Sequence, residues 1–381
     1  MTSTPTVGIV GAGQLARMMI EAATPLDIPI RLLAASPNDG AARIWPHVDI
    51  GLPKSAENLL RFAEHCDVIT FDHELVNLDA IRQLEAAGKL VYPSSNALLH
   101  AQNKLHQRTA FEALRLPIPA YREVVTTEDI TAFAADHGWP VVTKAQRDGY
   151  DGHGVWILDG PDDAARLIAD ATMNGMKLLA ERFVPIQQEL AGLIARRPGG
   201  EFVLYPIVET VQRNGVCHEV LVPAPVPEPI RRRAEELTLA VAEATNVVGI
   251  MALELFLADG VLLINEIATR PHNSGHFSIE ATATSQFENH LRAVIDWPLG
   301  STRLRSPAAV MANLFGRGQN DVASGARNAL TTDDSEVHIH LYGKESRDGR
   351  KIGHVTALGD NLDETRRRAT RAADEMMAAT E

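Results

Sequence analysis

Residues 250–267 read IMALELFLADGVLLINEI, two apolar runs divided by an Asp-Gly pair. Apolar runs of strand length on either side of a turn dipeptide predict two antiparallel strands, Ile250–Leu257 and Val261–Ile267. The expected link is a three-residue loop, Ala258–Gly260, with Gly260 in the left-handed conformation. Side chains alternate faces along a strand, so Glu254 and Glu266 share a face only across an odd-numbered connection, which this loop supplies. Both carboxylates lie in otherwise apolar strands, where an unpaired charge costs on the order of several kcal/mol. A hard cation relieves that cost. The carboxylates of Glu254 and Glu266, with the Asn265 amide beside them, suit magnesium, which keeps waters and bridges nucleotide phosphates. The competing reading is a solvated sheet face that carries unrelated acids.

Immediately downstream, Ala268-Thr-Arg-Pro-His-Asn-Ser-Gly-His276 is dense in hydrogen-bond donors and reads as an anion- or substrate-binding loop. The His272 and His276 spacing suggests zinc, but Asn273-Ser274-Gly275 breaks a helix and supplies no glutamate. Upstream, the strand Val141–Lys144 runs into Asp148-Gly-Tyr-Asp-Gly-His-Gly154, three glycines within six residues, and then into Val155–Leu158. A lysine at a strand end offers a point charge to phosphates, and a glycine loop folds over them without side chains in the way. The spacing is not that of a Walker loop, which places Gly-Lys-Ser/Thr at a helix start. A plain hairpin turn would explain the glycines but not the embedded Tyr150 and Asp151. Near the C-terminus, Tyr342-Gly-Lys-Glu-Ser-Arg-Asp-Gly-Arg-Lys-Ile-Gly-His354 is either a solvated hairpin tip or a site where Lys344, Arg350 and Lys351 converge on a phosphate.

The remaining chain frames these segments. The first ~95 residues alternate apolar runs (Thr6–Val10, Ile28–Ala34, Asp67–Phe71, Leu90–Tyr92) with helical patterns (Gln14–Ala23, Leu78–Ala87), as a parallel sheet with crossover helices requires. Asn77 caps the second of these helices and Gly88 stops it. Gly11-Ala-Gly-Gln-Leu-Ala16 follows the first strand and opens a helix, which matches a dinucleotide turn. A nicotinamide site also wants an acid ending the second strand, which here ends Ala34-Ala35-Ser36-Pro37. Tight packing, or a different phosphate or ribonucleotide, remains for this turn. Helices are expected over Lys104–Leu114, Glu128–His137 and Glu228–Asn246, with mostly antiparallel strands beyond Lys177 and a charged helix closing the chain.

Composition narrows the function classes. With 381 residues, 45% of them hydrophobic and 22% charged, the chain builds substantial cores. A formal charge of −13 works against general attraction to nucleic acid or anionic membrane, so any phosphate site is built locally. Cys66 and Cys217, far apart, form neither a disulfide scaffold nor a thiolate metal site. A reducing cytoplasm is expected, without export or membrane insertion.

In order along the chain, the Gly149–Gly154 loop, Asn265-Glu266 leading into His272–His276, and Gly349-Arg-Lys-x-Gly-His354 resemble the ATP-grasp superfamily. More narrowly they resemble its N5-carboxyaminoimidazole ribonucleotide synthetase family, and the likeness runs from Gly11 through His354. It implies an α/β and α+β multidomain protein. Residues 1–95 would form a Rossmann-like pre-ATP-grasp domain, 96–175 the small lobe with its glycine lid, 176–302 the large lobe with the metal site, and 303–381 a C-terminal subdomain completing the substrate site.

The resemblance also implies an ATP- and magnesium-dependent ligase that phosphorylates bicarbonate to carboxyphosphate and carboxylates the amine of aminoimidazole ribonucleotide. Lys104 and Lys144 would hold the ATP phosphates, and Gly149, Tyr150, Asp151, Gly152, His153, Gly154 and Val155 would close over them. Glu181, Arg182, Phe183 and Val184 would form the adenine strand, Glu189 would take the ribose hydroxyls, and Gln212 would lie near the nucleotide where a histidine is often seen. His100 stands where an arginine often precedes the first phosphate lysine. Glu254 and Glu266 would hold magnesium, with Asn265 beside the transferred phosphate. Gln14, Leu15, Glu74, Tyr150, Asp151, His272, Asn273, Ser274, Gly275 and His276 would surround the ribonucleotide, whose 5′-phosphate would meet Lys344, Arg350 and Lys351. Arg270 would lie near carboxyphosphate, and Asp151 and Lys344 would assist carboxyl transfer. The family implies a homodimer. Alternatives are another ATP-grasp ligase, such as a formate-using phosphoribosylglycinamide transformylase, a non-catalytic nucleotide sensor, or an oxidoreductase using the Gly11 turn.

Overall fold

The computed structural model describes residues 4–147, 154–318, 322–331 and 337–378. Its first unit is a five-stranded parallel sheet of β1 (Val7–Val10), β2 (Ile30–Ala34), β3 (Val48–Ile50), β4 (Val68–Phe71) and β5 (Leu90–Val91), ordered β3-β2-β1-β4-β5. Helices α1 (Gln14–Ala23), α2 (Ala56–Ala63) and α3 (Leu78–Ala86) accompany it. The Asn77 side chain accepts from the Asp79 and Ala80 amides to start α3, and Gly88 at φ +82° follows its end. β3 and α2 are additions to the sequence reading. β3 is three residues long with no buried side chain, so it leaves no apolar run to detect.

Helices α4 (Ser95–Gln102) and α5 (Lys104–Ala113) lead to a small lobe. There β6 (Tyr121–Val124), α6 (Thr127–His137), β7 (Val141–Ala145), β8 (Val155–Leu158), α7 (Pro161–Asn174) and β9 (Leu178–Arg182) build an antiparallel sheet ordered β6-β9-β7-β8. Ile130 and Phe133 of α6 and Leu167 of α7 fill the core between the helices and this sheet.

The rest forms one nine-stranded sheet. It takes in β10 (Gln188–Arg196), β11 (Phe202–Leu204), β12 (Val208–Arg213), β13 (Val216–Val222), and, after α8 (Glu228–Thr245), β14 (Gly249–Ala258) and β15 (Val261–Ala268). Past α9 (Ser278–Ala281) and α10 (Gln286–Val294), β16 (Ala308–Phe315) joins β13. Helix α11 (Val322–Thr331) and strands β17 (Val337–Leu341) and β18 (Lys351–Gly359) follow, before α12 (Leu362–Ala378). The main order is β15-β14-β10-β12-β13-β16-β18-β17, with β11 on β10. The C-terminal strands therefore extend the sheet that carries β14 and β15.

The β14–β15 hairpin corrects the expected loop. Ala258 pairs with Val261, so the turn is only Asp259-Gly260, both with positive φ (50° and 75°), as a two-residue hairpin turn demands. An even turn would place Glu254 opposite Asn265. Instead the register shifts, with Leu255 opposite Ile264 but Glu254 opposite Glu266, leaving Asn265 as the extra residue. A β-bulge, rather than the loop, makes the two acids neighbours on one face.

One buried histidine ties the N-terminal sheet to this hairpin. His290 of α10 accepts from the Ile250 amide at Nδ1 (3.1 Å), so its proton sits on Nε2, which lies 2.7 Å from Thr70 Oγ1 on β4. Burial lowers its pKa to about 3, so it stays neutral. Phe287 and Leu291 of α10 also pack into the core around α1. Among the described residues, no helix is long and apolar enough to cross a membrane.

Candidate active site

The three units enclose a cleft of about 1020 Å³. Its centre is the carboxylate pair. Glu254 and Glu266 face it, Lys104 at the start of α5 contacts Glu266, and the Asn265 amide donates to Glu254 Oε2 (3.1 Å). Lys144, at the end of β7, donates to Asn265 Oδ1 (3.1 Å). Burial, with the charges of Glu266 and Glu189, raises the Glu254 pKa. Burial also opposes ionisation of Glu266, but the adjacent Lys104 ammonium outweighs it and holds that carboxyl below its usual range. Glu189, on β10, has its pKa raised to about 7 by burial and by Glu266, against the pull of Lys144.

This donor set fits a divalent cation. Two carboxylates stand on neighbouring strands, and one of them, Glu254, is driven toward protonation by burial and then by the charges of Glu266 and Glu189. Among the described residues no group of three or more His, Cys, Asp or Glu side chains is arranged to hold a metal. A divalent ion here would therefore draw its remaining ligands from water and phosphate, the habit of magnesium.

Beneath Lys144 lies a buried ion-pair cluster. Glu181, 2% exposed on β9, receives Arg108 Nε at 2.7 Å and Lys144 Nζ at 2.8 Å. Despite burial, the two cations keep the Glu181 pKa down at about 2. Burial, Arg108 and Lys104 lower that of Lys144, against Glu181. Arg108 was not anticipated from the sequence, though its place one helical turn beyond Lys104 puts it on the same side of α5. Arg182, Phe183, Val184, Glu189 and Gln212 also line the cleft, as does Val155 at the start of β8.

The opposite end is cationic and lies between the first and last units. Arg270 pairs with Glu74 (2.6 Å), whose other oxygen accepts from the Thr269 amide (3.2 Å). Lys344 contacts the Gln14 side chain at the first turn of α1 and lies 5.7 Å from the Tyr342 ring centroid. Leu15, Asn273, Ser274, Arg350 and Lys351 line the same space, and His272 reaches toward Glu254 (3.5 Å) while Ser274 Oγ sits 2.8 Å from its Nδ1.

Three expected placements change. Gly275 and His276 do not line the cleft; His276 is wholly buried, with Nδ1 3.0 Å from Gln286 and its ring packed near Phe287 and His354. A β-carbon at Gly275 would collide with Leu193 and Gln286, so this half of the loop packs while the first half faces ligand space. His100 is likewise buried, stacked on Phe111, its pKa lowered to about 4 by burial and by His106. It does not reach the cleft. The Gly11 turn is filled from within, because the Gly13 amide donates to the buried Asp72 carboxylate (2.5 Å), which stands where a dinucleotide phosphate would. Asp72 was missed because a single acid after a strand carries no pattern. Gly149, Tyr150, Asp151, Gly152 and His153 lie outside the described residues, while Gly154 accepts from the Ala145 amide through its carbonyl (2.8 Å).

A lysine-bearing antiparallel lobe facing a sheet that presents paired acids across a cleft defines the ATP-grasp ligases. Residues 109–287 match the ATP-grasp domain, residues 4–102 the ribonucleotide synthetase preATP-grasp domain, and residues 309–368 the phosphoribosylaminoimidazole carboxylase C-terminal domain. The chain belongs to the N5-carboxyaminoimidazole ribonucleotide synthase family. It is 42% identical over 373 residues to the N5-carboxyaminoimidazole ribonucleotide synthase of Mycobacterium bovis, covering 97% of this chain and 87% of that protein. The crystal structure of the Thermus thermophilus synthetase superposes with a TM-score of 0.86 at 36% identity, covering 98% of each chain. The Aspergillus clavatus synthase, solved with ADP and 5-aminoimidazole ribonucleotide, gives 0.90 at 30% identity and 99% coverage of each.

Proposed function

We propose that the protein carboxylates 5-aminoimidazole ribonucleotide with bicarbonate, consuming ATP and yielding N5-carboxyaminoimidazole ribonucleotide, ADP and phosphate. The observation that carries this reading is the single cleft in which the Glu254–Glu266 pair and two lysines meet a second cationic end built from Arg270, Lys344, Arg350 and Lys351. The relatives support it over a formate-using transformylase.

Bicarbonate is a poor electrophile because hydroxide leaves badly. Its oxygen attacks the γ-phosphorus of ATP, ADP departs, and carboxyphosphate forms; this then breaks into carbon dioxide and phosphate. The exocyclic amine attacks the carbon of carbon dioxide and gives up a proton, for which Asp151, assisted by Lys344, is the acceptor we favour. Lys104 and Lys144 hold the transferring phosphates, and Glu189 takes the ribose hydroxyls. The strand Glu181–Val184 offers backbone groups to the adenine. Glu254 and Glu266 would hold magnesium, whose charge screens the phosphate oxygens when bound. Arg270, fixed by Glu74, sits where carboxyphosphate would form, and Lys344, Arg350 and Lys351 bind the ribonucleotide 5′-phosphate. Carboxyphosphate hydrolyses in water, so solvent must be kept out, and the glycine segment ending at Val155 is the natural cover. A cytoplasmic homodimer is part of the same proposal.

The deciding assay measures ADP formation with ATP, magnesium and bicarbonate, with and without aminoimidazole ribonucleotide. Acceptor-dependent ADP release is expected, and a rate unmoved by the acceptor removes the assignment.

A further inference from the structure

Arg108 has no place in the chemistry above, yet it is 1% exposed, the largest of the fully buried side chains, and bonded to the carboxylate that also holds Lys144. Its Nε binds Glu181 Oε1 at 2.7 Å, and a second nitrogen donates to Gln107 Oε1 at 3.2 Å. The other oxygen of Glu181 holds Lys144 Nζ at 2.8 Å. Two cations therefore share one buried anion, and the cluster carries one net positive charge.

That surplus matters because Lys144 alone with Glu181 would form a neutral pair, turned in on itself and blind to a phosphate. We infer that Arg108 is a positioning residue for nucleotide binding: by neutralising Glu181 from behind, it leaves the charge of Lys144 available to the ATP phosphates. Its Nε bond also holds the carboxylate opposite Lys144, which in turn donates to Asn265 Oδ1, 3.1 Å away. The inference rests on the proposed ATP role of Lys144.

The test counts charge. Calorimetric titration of full-length protein with magnesium-ATP should show Arg108→Gln weakening binding about ten-fold or more, the order expected for one buried unit charge near a phosphate. The KM for aminoimidazole ribonucleotide should stay within about two-fold. The double variant Arg108→Gln/Glu181→Gln restores one net positive charge and should recover most of the lost affinity, whereas damage to packing alone would accumulate. Unchanged ATP affinity in Arg108→Gln, or a double variant weaker than the single, overturns the inference. If Arg108→Gln does not fold, Arg108→Lys decides: affinity within about three-fold of wild type supports the charge argument, and a ten-fold loss overturns it. Wild-type protein that binds no ATP would instead remove the functional reading on which this stands.

Discussion

Glu254 and Glu266 are direct cross-strand neighbours although the turn between their strands has an even number of residues, because Asn265 is bulged out of the ladder. The bulge lets two consecutive residues, Asn265 and Glu266, both serve the cleft, which a regular strand forbids.

Deleting Asn265 should therefore leave the two acids opposed and the fold intact, while Lys144 loses its amide partner. The magnesium concentration for half-maximal ADP formation should stay within about three-fold, with kcat falling on the order of ten-fold. Glu254→Gln should do the reverse to the metal, raising the magnesium requirement on the order of ten-fold. A magnesium titration of both variants checks the contrast; matching behaviour would mean the bulge has been misread.

Lys344→Ala should raise the KM for the ribonucleotide about ten-fold and leave that for ATP within about two-fold. Steady-state kinetics with each substrate varied in turn decides, and equal losses would place Lys344 elsewhere.

His276→Ala should do the opposite of a ligand-contact change. It removes a wholly buried ring and its bond to Gln286, so thermal unfolding should show a loss of about 2 kcal/mol with both KM values nearly unchanged.

Glu189 links pH to stability. Its pKa in the folded protein, about 7, lies above the ordinary 4.5, so the native state favours the neutral acid. The stability this lends is complete below about 4.5 and is lost as pH rises through about 7. Glu189→Gln stays neutral throughout, so it should melt above wild type by about 3 °C at pH 8, with the gap closing toward pH 4.5. A gap that widens on acidification would show the environment of Glu189 to be other than described.

What the sequence reveals follows from what periodicity records. Long apolar strands, the Asn77 cap and the acid-bearing hairpin were legible because each leaves a local pattern; Lys144 showed by its place at a strand end before a glycine loop, the C-terminal cations stood out against an acidic chain, and Lys104 came only with the family resemblance. The bulge was not legible: hydrophobic alternation permits either an odd loop or an inserted residue, and only the register distinguishes them. Nor were Asp72, Arg108 and His290, lone polar residues whose partners come from elements 59, 73 and 220 residues away. The loop from His272 to His276 looked uniformly polar, while packing against Gln286 and Leu193 divides it between surface and core.

The unbroken ladder from β15 to β18 joins the acid pair to the strand that begins at Lys351. Both ends of the cleft are thereby carried on one hydrogen-bonded framework. The four-stranded lobe that carries Lys144 is a separate sheet, so the two walls of the cleft are built on different frameworks.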